Sequence, residues 1–181
     1  MTTYVVLVRG INVGGRNTVS MAGLKKCLEE LGFENVSTFL NSGNVILDSD
    51  KSAKQVAALI DKALPTAFKL DSELVRVLAL SRSQFKAMID KKPKGFGEEP
   101  GKYHSDAIFL MGITAAKAMP VFAPREGVDK VWPGKGVIYS QRLSAERTRS
   151  RLGKIVGTPP YKSMTIRSWS TTMKLLELSA R

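Results

Sequence analysis

The most restrictive feature of this sequence is the way its hydrophobic period switches back and forth between two and three-to-four. Thr3 to Val8 is β-branched and nearly all apolar, as a central strand covered on at least one face would be. Behind Ser20, a good helix cap, Met21, Leu24, Leu28 and Leu31 recur at three- and four-residue steps until Gly32 stops the helix. Val36 to Leu40 and Asn44 to Leu47 then flank the turn-rich Asn41-Ser42-Gly43-Asn44 and read as a hairpin. Ser52 to Phe68 is a second amphipathic helix, with Val56, Leu59, Ile60, Ala63, Leu64 and Ala67 on one face, and Leu74 to Leu80 is a strand. This order, βαββαβ, predicts a ferredoxin-like α+β half, an antiparallel sheet backed by two helices.

The pattern then returns. Ser81 forms a capping box with Gln84 and opens a helix that turns Phe85, Met88 and Ile89 inward. Lys91 to Lys102, rich in Pro, Gly and Lys, reads as a loop and as the least structured stretch of the chain. His104 to Met111 is a strand, Thr114 to about Val121 a short helix, and Val128–Trp132 with Val137–Gln141 a hairpin around Pro133-Gly134-Lys135-Gly136. Ser144 caps a basic helix reaching Ile155, Lys162 to Arg167 is a strand, and Trp169 to Ser179 is a closing helix. No residue-level repeat accompanies this second βαββαβ. The expected fold is therefore α+β, two consecutive ferredoxin-like halves with antiparallel sheets plus a C-terminal helix. The expected domains are residues 1–80 and a second, basic domain at 81–181, linked by the loop at about 91–102.

Charge separates the halves more sharply than composition does. Residues 1–80 carry nine Lys/Arg against eight Asp/Glu, whereas residues 81–181 carry nineteen against eight. From Arg142 to Lys174 the only acid is Glu146, amid Arg142, Arg147, Arg149, Arg151, Lys154, Lys162, Arg167 and Lys174. Such a field attracts nucleic acid, phosphorylated ligands or acidic surfaces. On a helix from Ser144, the residues Ala145, Thr148, Leu152, Ile155 and Val156 form an inward stripe. Arg147, Arg151 and Lys154 then share the outer face and call for a counter-charge. Trp132 and Tyr139 offer faces on which bases stack, although aromatic strand residues usually pack in the core.

Residues 9–17, Arg-Gly-Ile-Asn-Val-Gly-Gly-Arg-Asn, follow the first strand and invite a phosphate-loop reading. The spacing argues against one. Asn12 stands where a dinucleotide fingerprint needs its second glycine, the helix starts only after Ser20, and no Gly-Lys-Ser/Thr follows. A backbone nest for a smaller anion, or a tight turn needing positive φ, remains. Arg9 and Arg167 each close a strand beside a turn. Arg9, Asn12, Gly14, Gly15, Ser42, Asn44, Arg167 and Ser168 are accordingly expected to line an anion site. Lys102-Tyr103-His104-Ser105-Asp106 gathers the letters of a catalytic triad, but strand alternation puts His104 and Asp106 on one face and Ser105 on the other. Cys27 and His104, single residues of their types, exclude an intrachain disulfide and a structural Cys/His zinc site, so no metal and no cofactor are expected. The apolar run Tyr4–Val8 is too short for a secretory core or a membrane span, which predicts a cytoplasmic protein with no membrane partner.

Three stretches together resemble a bacterial family known as domain of unknown function 1697. They are R-G-I-N-V-G-G at Arg9–Gly15, N-S-G-N-V at Asn41–Val45, and K-I-V-G-T-P with M-T-I-R-S-W-S-T-T-M-K-L between Lys154 and Leu175. The resemblance implies a cytoplasmic protein of two ferredoxin-like halves, with no established activity or catalytic residues. One departure is Ser168, which stands where the family has Asn in an Arg-Asn-Trp pattern; serine still caps a helix but lacks the carboxamide. The functional expectation is a protein that binds an anionic partner, nucleic acid or another polyanion, through its basic second half at Arg147, Arg151 and Lys154. The alternatives are an enzyme acting on a small phosphorylated or acidic metabolite and an interaction module for an acidic protein surface.

Overall fold

The structure is a computed structural model and describes residues 1–71 and 73–181. The chain divides into two compact units, Met1–Lys86 together with Leu175–Arg181, and Ala87–Lys174.

The first unit contains strand β1 (Thr2–Arg9), helix α1 (Met21–Glu30), strands β2 (Glu34–Phe39) and β3 (Asn44–Ser49), helix α2 (Ala53–Ala67) and strand β4 (Arg76–Ser81). Its sheet is antiparallel in the order β2-β3-β1-β4. Local chemistry sets the helix ends. The Ser20 hydroxyl accepts from the N–H of Gly23, and Ser52 with Gln55 forms a complete capping box. At the far end of α1, Gly32 donates to Glu29 and Phe33 to Leu28, the paired bonds that close a helix against a C-terminal glycine. Leu24 and Leu28 of α1 and Val56, Ile60 and Leu64 of α2 are fully buried with Val6, Val45 and Leu47 of the sheet.

The second unit repeats the sheet. Strands β5 (Tyr103–Leu110), β6 (Asp129–Pro133), β7 (Val137–Leu143) and β8 (Met164–Ser168) are antiparallel in the order β6-β7-β5-β8. Helix α3 (Arg82–Asp90) precedes β5, the single-turn helix α4 (Ala115–Ala118) lies in the first crossover, and helix α5 (Trp169–Leu178) follows β8. On one face of this sheet Ile108, Ile138 and Met164 pack with Ala118, Phe122 and Ile155.

Two expectations need correction here. The basic segment is not one α-helix from Ser144 to Ile155. It is three consecutive 3-10 turns, Ser144–Arg149, Leu152–Gly157 and Pro159–Ser163, with extended backbone at Ser150. The inward stripe dissolves with it: Ala145 and Thr148 are exposed, Val156 is 58% exposed, and Ile155 alone of the five is buried. The loop at 91–102 is not a linker either. It lies inside the second unit, and the division between units falls within α3 and α5 instead of after residue 80.

The loop is held by Phe96, which is wholly buried. Its ring packs edge-on against Trp169, Tyr139 and Trp132, with centroids 4.9, 5.3 and 6.0 Å away. The N–H of Gly97 donates to Gln141 and the Lys92 ammonium caps the Phe96 carbonyl. Phe96→Ala should cost about 3–5 kcal/mol and open Lys91 and Lys94 to trypsin. Limited proteolysis read by mass spectrometry checks this, since the parent should resist cleavage there.

Candidate functional site

The glycine loop is a small hairpin of its own. Asn12 donates to the Asn17 carbonyl and Arg16 to the Val13 carbonyl, which leaves Gly14 and Gly15 as the two tip residues, with φ of 58° and 73°. Two successive positive φ values are the requirement of a tight hairpin turn, and glycine meets it without steric cost. The Asn12 side chain staples the hairpin down: its amide donates to the carbonyls of Val19 and Asn41 at 2.9 and 2.8 Å, and its oxygen accepts from Val19 N–H. Asn44, fully buried, donates to the Phe39 carbonyl and the Ser42 hydroxyl. Arg9 donates to the Leu74 carbonyl at 3.0 Å, and Arg16 pairs with Asp71 at 2.9 Å. The fold thus brings Asn12 close to the Asn41–Asn44 turn, and these side chains are engaged in fixing their own loops.

Arg167 and Ser168 belong to the other unit. The Arg167 guanidinium is 8% exposed and donates to the Thr165 hydroxyl and the Ile166 carbonyl, both at 2.8 Å. Burial lowers its pKa to about 10, so it stays charged at neutral pH. Ser168 caps α5, accepting from the N–H of Thr171.

The basic crossover takes its shape from one buried carboxylate, Asp129 at the start of β6. Asp129 is 5% exposed and accepts from Arg125 N–H at 2.9 Å, Arg151 N–H at 2.8 Å and the Ser150 hydroxyl at 2.6 Å. Burial alone pushes its carboxyl up, but these donors and the nearby Arg142 outweigh it and hold the pKa below the usual carboxylate range. The segment runs outward from this anchor. Arg147 and Lys154 are exposed, Arg149 pairs with Glu146 at 3.2 Å, and Lys162 is exposed. Arg151 departs from the expected outer stripe, because its backbone N–H is spent on Asp129 and its Nε is buried. Trp132 and Tyr139 are not displayed for stacking. Tyr139 is 2% exposed, with its hydroxyl donating to the Met88 carbonyl, and Trp132 stands edge-on to Phe96.

On β5, His104 and Asp106 do face one way. The imidazole Nε2 lies 3.1 Å from both carboxyl oxygens, while the Ser105 hydroxyl donates to Gln141 on the other face. Burial raises the Asp106 pKa against the opposing pull of His104 and Arg142. His104 borders a cavity of about 700 Å³ lined also by Tyr103, Lys92, Ser168, Trp169 and Met173. Asp106 borders a second, smaller one with Arg142 and Ser140. The sequence reading missed Asp129 and the role of Arg142. The one available signal is register, since Asp129 faces Arg142 across the β6–β7 hairpin. Cys27, half-buried on α1, has its thiol pKa raised by burial and by Glu30, which makes it a poor nucleophile. Among the described residues, no group of three or more His, Cys, Asp or Glu could hold a metal ion, and no helix is long and apolar enough to cross a membrane.

Fold and site define a two-unit α+β protein whose excess of basic charge lies in the second unit. Residues 1–139 match the family described as Protein of unknown function (DUF1697), and the chain belongs to that family. A solved structure, "The structure of conserved bacterial protein SP0830 from Streptococcus pneumoniae", is similar at a TM-score of 0.79 and 27% identity, covering 98% of each chain. No curated protein matches.

Asp129→Asn should destabilise the second unit by about 2–3 kcal/mol, since the carboxamide cannot accept from all three donors. A lowered pKa stabilises above the unfolded value and is lost as pH falls through the folded one. Parent stability should therefore drop below about pH 4, and the variant should be flatter there, in thermal melts taken across pH. Asn12→Ala should cost about 1–3 kcal/mol through the freed Val19 N–H and the carbonyls of Val19 and Asn41, measured by urea unfolding.

Proposed function

We propose that this chain binds an anionic partner, nucleic acid foremost, through the basic crossover between β7 and β8. The observation that carries this reading is positive charge in excess of the acids around it. Residues 87–174 carry 16 Lys/Arg and seven Asp/Glu, and two of those acids, Asp106 and Asp129, are taken up internally. Glu146 is the acid within Arg142–Lys174, and it meets Arg149. Arg147 and Lys154 project on either side of a bend fixed by Asp129, so binding requires ordering of their side chains and not of the bend. Phosphates supply the missing counter-charge, and the contact is to backbone rather than base, since Trp132 and Tyr139 pack against Phe96. A cytoplasmic location goes with this reading, which calls for no cofactor.

A second reading, an enzyme acting on a small phosphorylated or acidic metabolite, is supported by the His104–Asp106 pair beside the 700 Å³ cavity. His104→Gln separates the two. It should leave polyanion binding intact and abolish only turnover.

Binding to single-stranded RNA and DNA, followed by fluorescence anisotropy across salt, tests the main reading. About five phosphate contacts give a log-log slope near −3.5, at roughly −0.7 per contact. Reversing Arg147, Arg149 and Lys154 to Glu should flatten the slope by about 2 while leaving the melting temperature near that of the parent. Absence of binding to DNA and RNA, single- or double-stranded, at low salt would refute the reading.

A further inference from the structure

A second binding feature, separate from the exposed basic face, lies beneath the crossover. Arg142 points from β7 into a pocket of about 140 Å³. Its Nε is shut away from solvent with no acceptor, and its guanidinium makes no hydrogen bond or ion pair among the described residues. The Nε atoms of Arg82, Arg125 and Arg151 are also buried without an acceptor, but of the four Arg142 is the one that lines this pocket, which makes it the first place to look for an occupant. The carboxylates nearest in charge do not meet it. Asp129 accepts instead from Arg125, Ser150 and Arg151, and Asp106 is paired with His104, so both act on Arg142 through space without a hydrogen bond to it.

The rest of the lining tells what the occupant is. Beside Arg142 stands Ser140, 3% exposed, whose hydroxyl has no protein partner among the described residues. Away from this polar end the wall is Ile108, Phe122, Leu152, Ile155 and Ile166. A pocket with a guanidinium, a hydroxyl and the His104-paired Asp106 at one end and mainly apolar side chains along its body matches a short amphiphile. The volume is well below the roughly 300–1,000 Å³ of pockets that hold drug-sized ligands. Inorganic phosphate would leave the aliphatic wall unused, and a nucleotide would not fit.

We propose that this pocket binds a short-chain monocarboxylic acid, its carboxylate on Arg142 and Ser140 and its hydrocarbon tail among Ile108, Ile155 and Ile166. The guanidinium fork matches a carboxylate in shape, and the unmet Nε–H gains an acceptor on binding. Asp106 lines the same end, and its carboxyl is paired with the His104 imidazole at 3.1 Å, which leaves Arg142 to meet an incoming carboxylate. Val156, 58% exposed, lies at the rim of the same pocket and lends itself to testing without disturbing the core.

Isothermal titration calorimetry on the full chain, at constant ionic strength, compares sodium acetate, butyrate, 3-methylbutanoate and phosphate. Affinity should rise about fourfold per added methylene through butyrate and 3-methylbutanoate, with phosphate weaker than either. Arg142→Gln should weaken 3-methylbutanoate at least tenfold. Val156→Asp, which places a negative charge at the rim, should weaken it severalfold with an unchanged melting temperature, so a misfolded Arg142 variant would not leave the site undecided. No heat from any carboxylate, phosphate binding more tightly than butyrate, or undiminished affinity in Val156→Asp would overturn the assignment.

Discussion

Much of what the second unit presents to solvent depends on one buried carboxylate. Asp129 sits where β6 begins and accepts from two segments distant in sequence, the turn at Arg125 and the break at Ser150–Arg151. Without it the break at Ser150–Arg151 would lose the side-chain and backbone bonds that set its bend, for the flanking 3-10 turns are short and weak by themselves. An ionised group inside a protein is expensive unless its oxygens are met. Here three donors meet them, and the same three bonds fix the bend from which Arg147 and Lys154 project.

That arrangement also explains where the sequence was readable and where it was not. The caps at Ser20, Ser52 and Ser81 could be read directly because their partners lie three residues away. The strand pattern and the turn at Asn41–Asn44 were equally local. The segment from Ser144 was misread because a helical stripe fits its apolar spacing, while the decisive competitor lies 22 residues upstream. An α-helix would need the Arg151 N–H for the Arg147 carbonyl; Asp129 takes it, and Ser150 N–H bonds Arg147 instead. Loop 91–102 was misread for a related reason. Its Pro, Gly and Lys content describes a flexible segment, and the single aromatic that nails it down, Phe96, finds its three ring partners 36 to 73 residues later. Long-range partners of this kind leave no period in the sequence.

The candidate sites divide along the same line. The glycine loop drew attention because its composition is rare, but its hydrogen bonds close on themselves, with Asn12 serving both Val19 and Asn41. Arg142 drew none, because one arginine among many has no distinguishing context until β7 is paired with β5 and β6. Its interest comes from what surrounds it: two carboxylates already spoken for, an idle hydroxyl and an aliphatic wall. Charge on the outside and an unmet donor on the inside are separate properties of one crossover, and each calls for a different kind of partner.

The first unit has a feature with consequences for how the molecule is made. Residues 175–181 belong to it, and Arg181 reaches the carbonyl of Asn35, the Ser37 hydroxyl and the Asp48 carboxylate. During synthesis β2 and β3 emerge early, yet the arginine that ties their edge arrives only after the whole of the second unit has been translated. The nascent first unit must therefore wait on the ribosome with that edge unclasped, and a chain released before residue 175 would carry both sheets but lack that clasp.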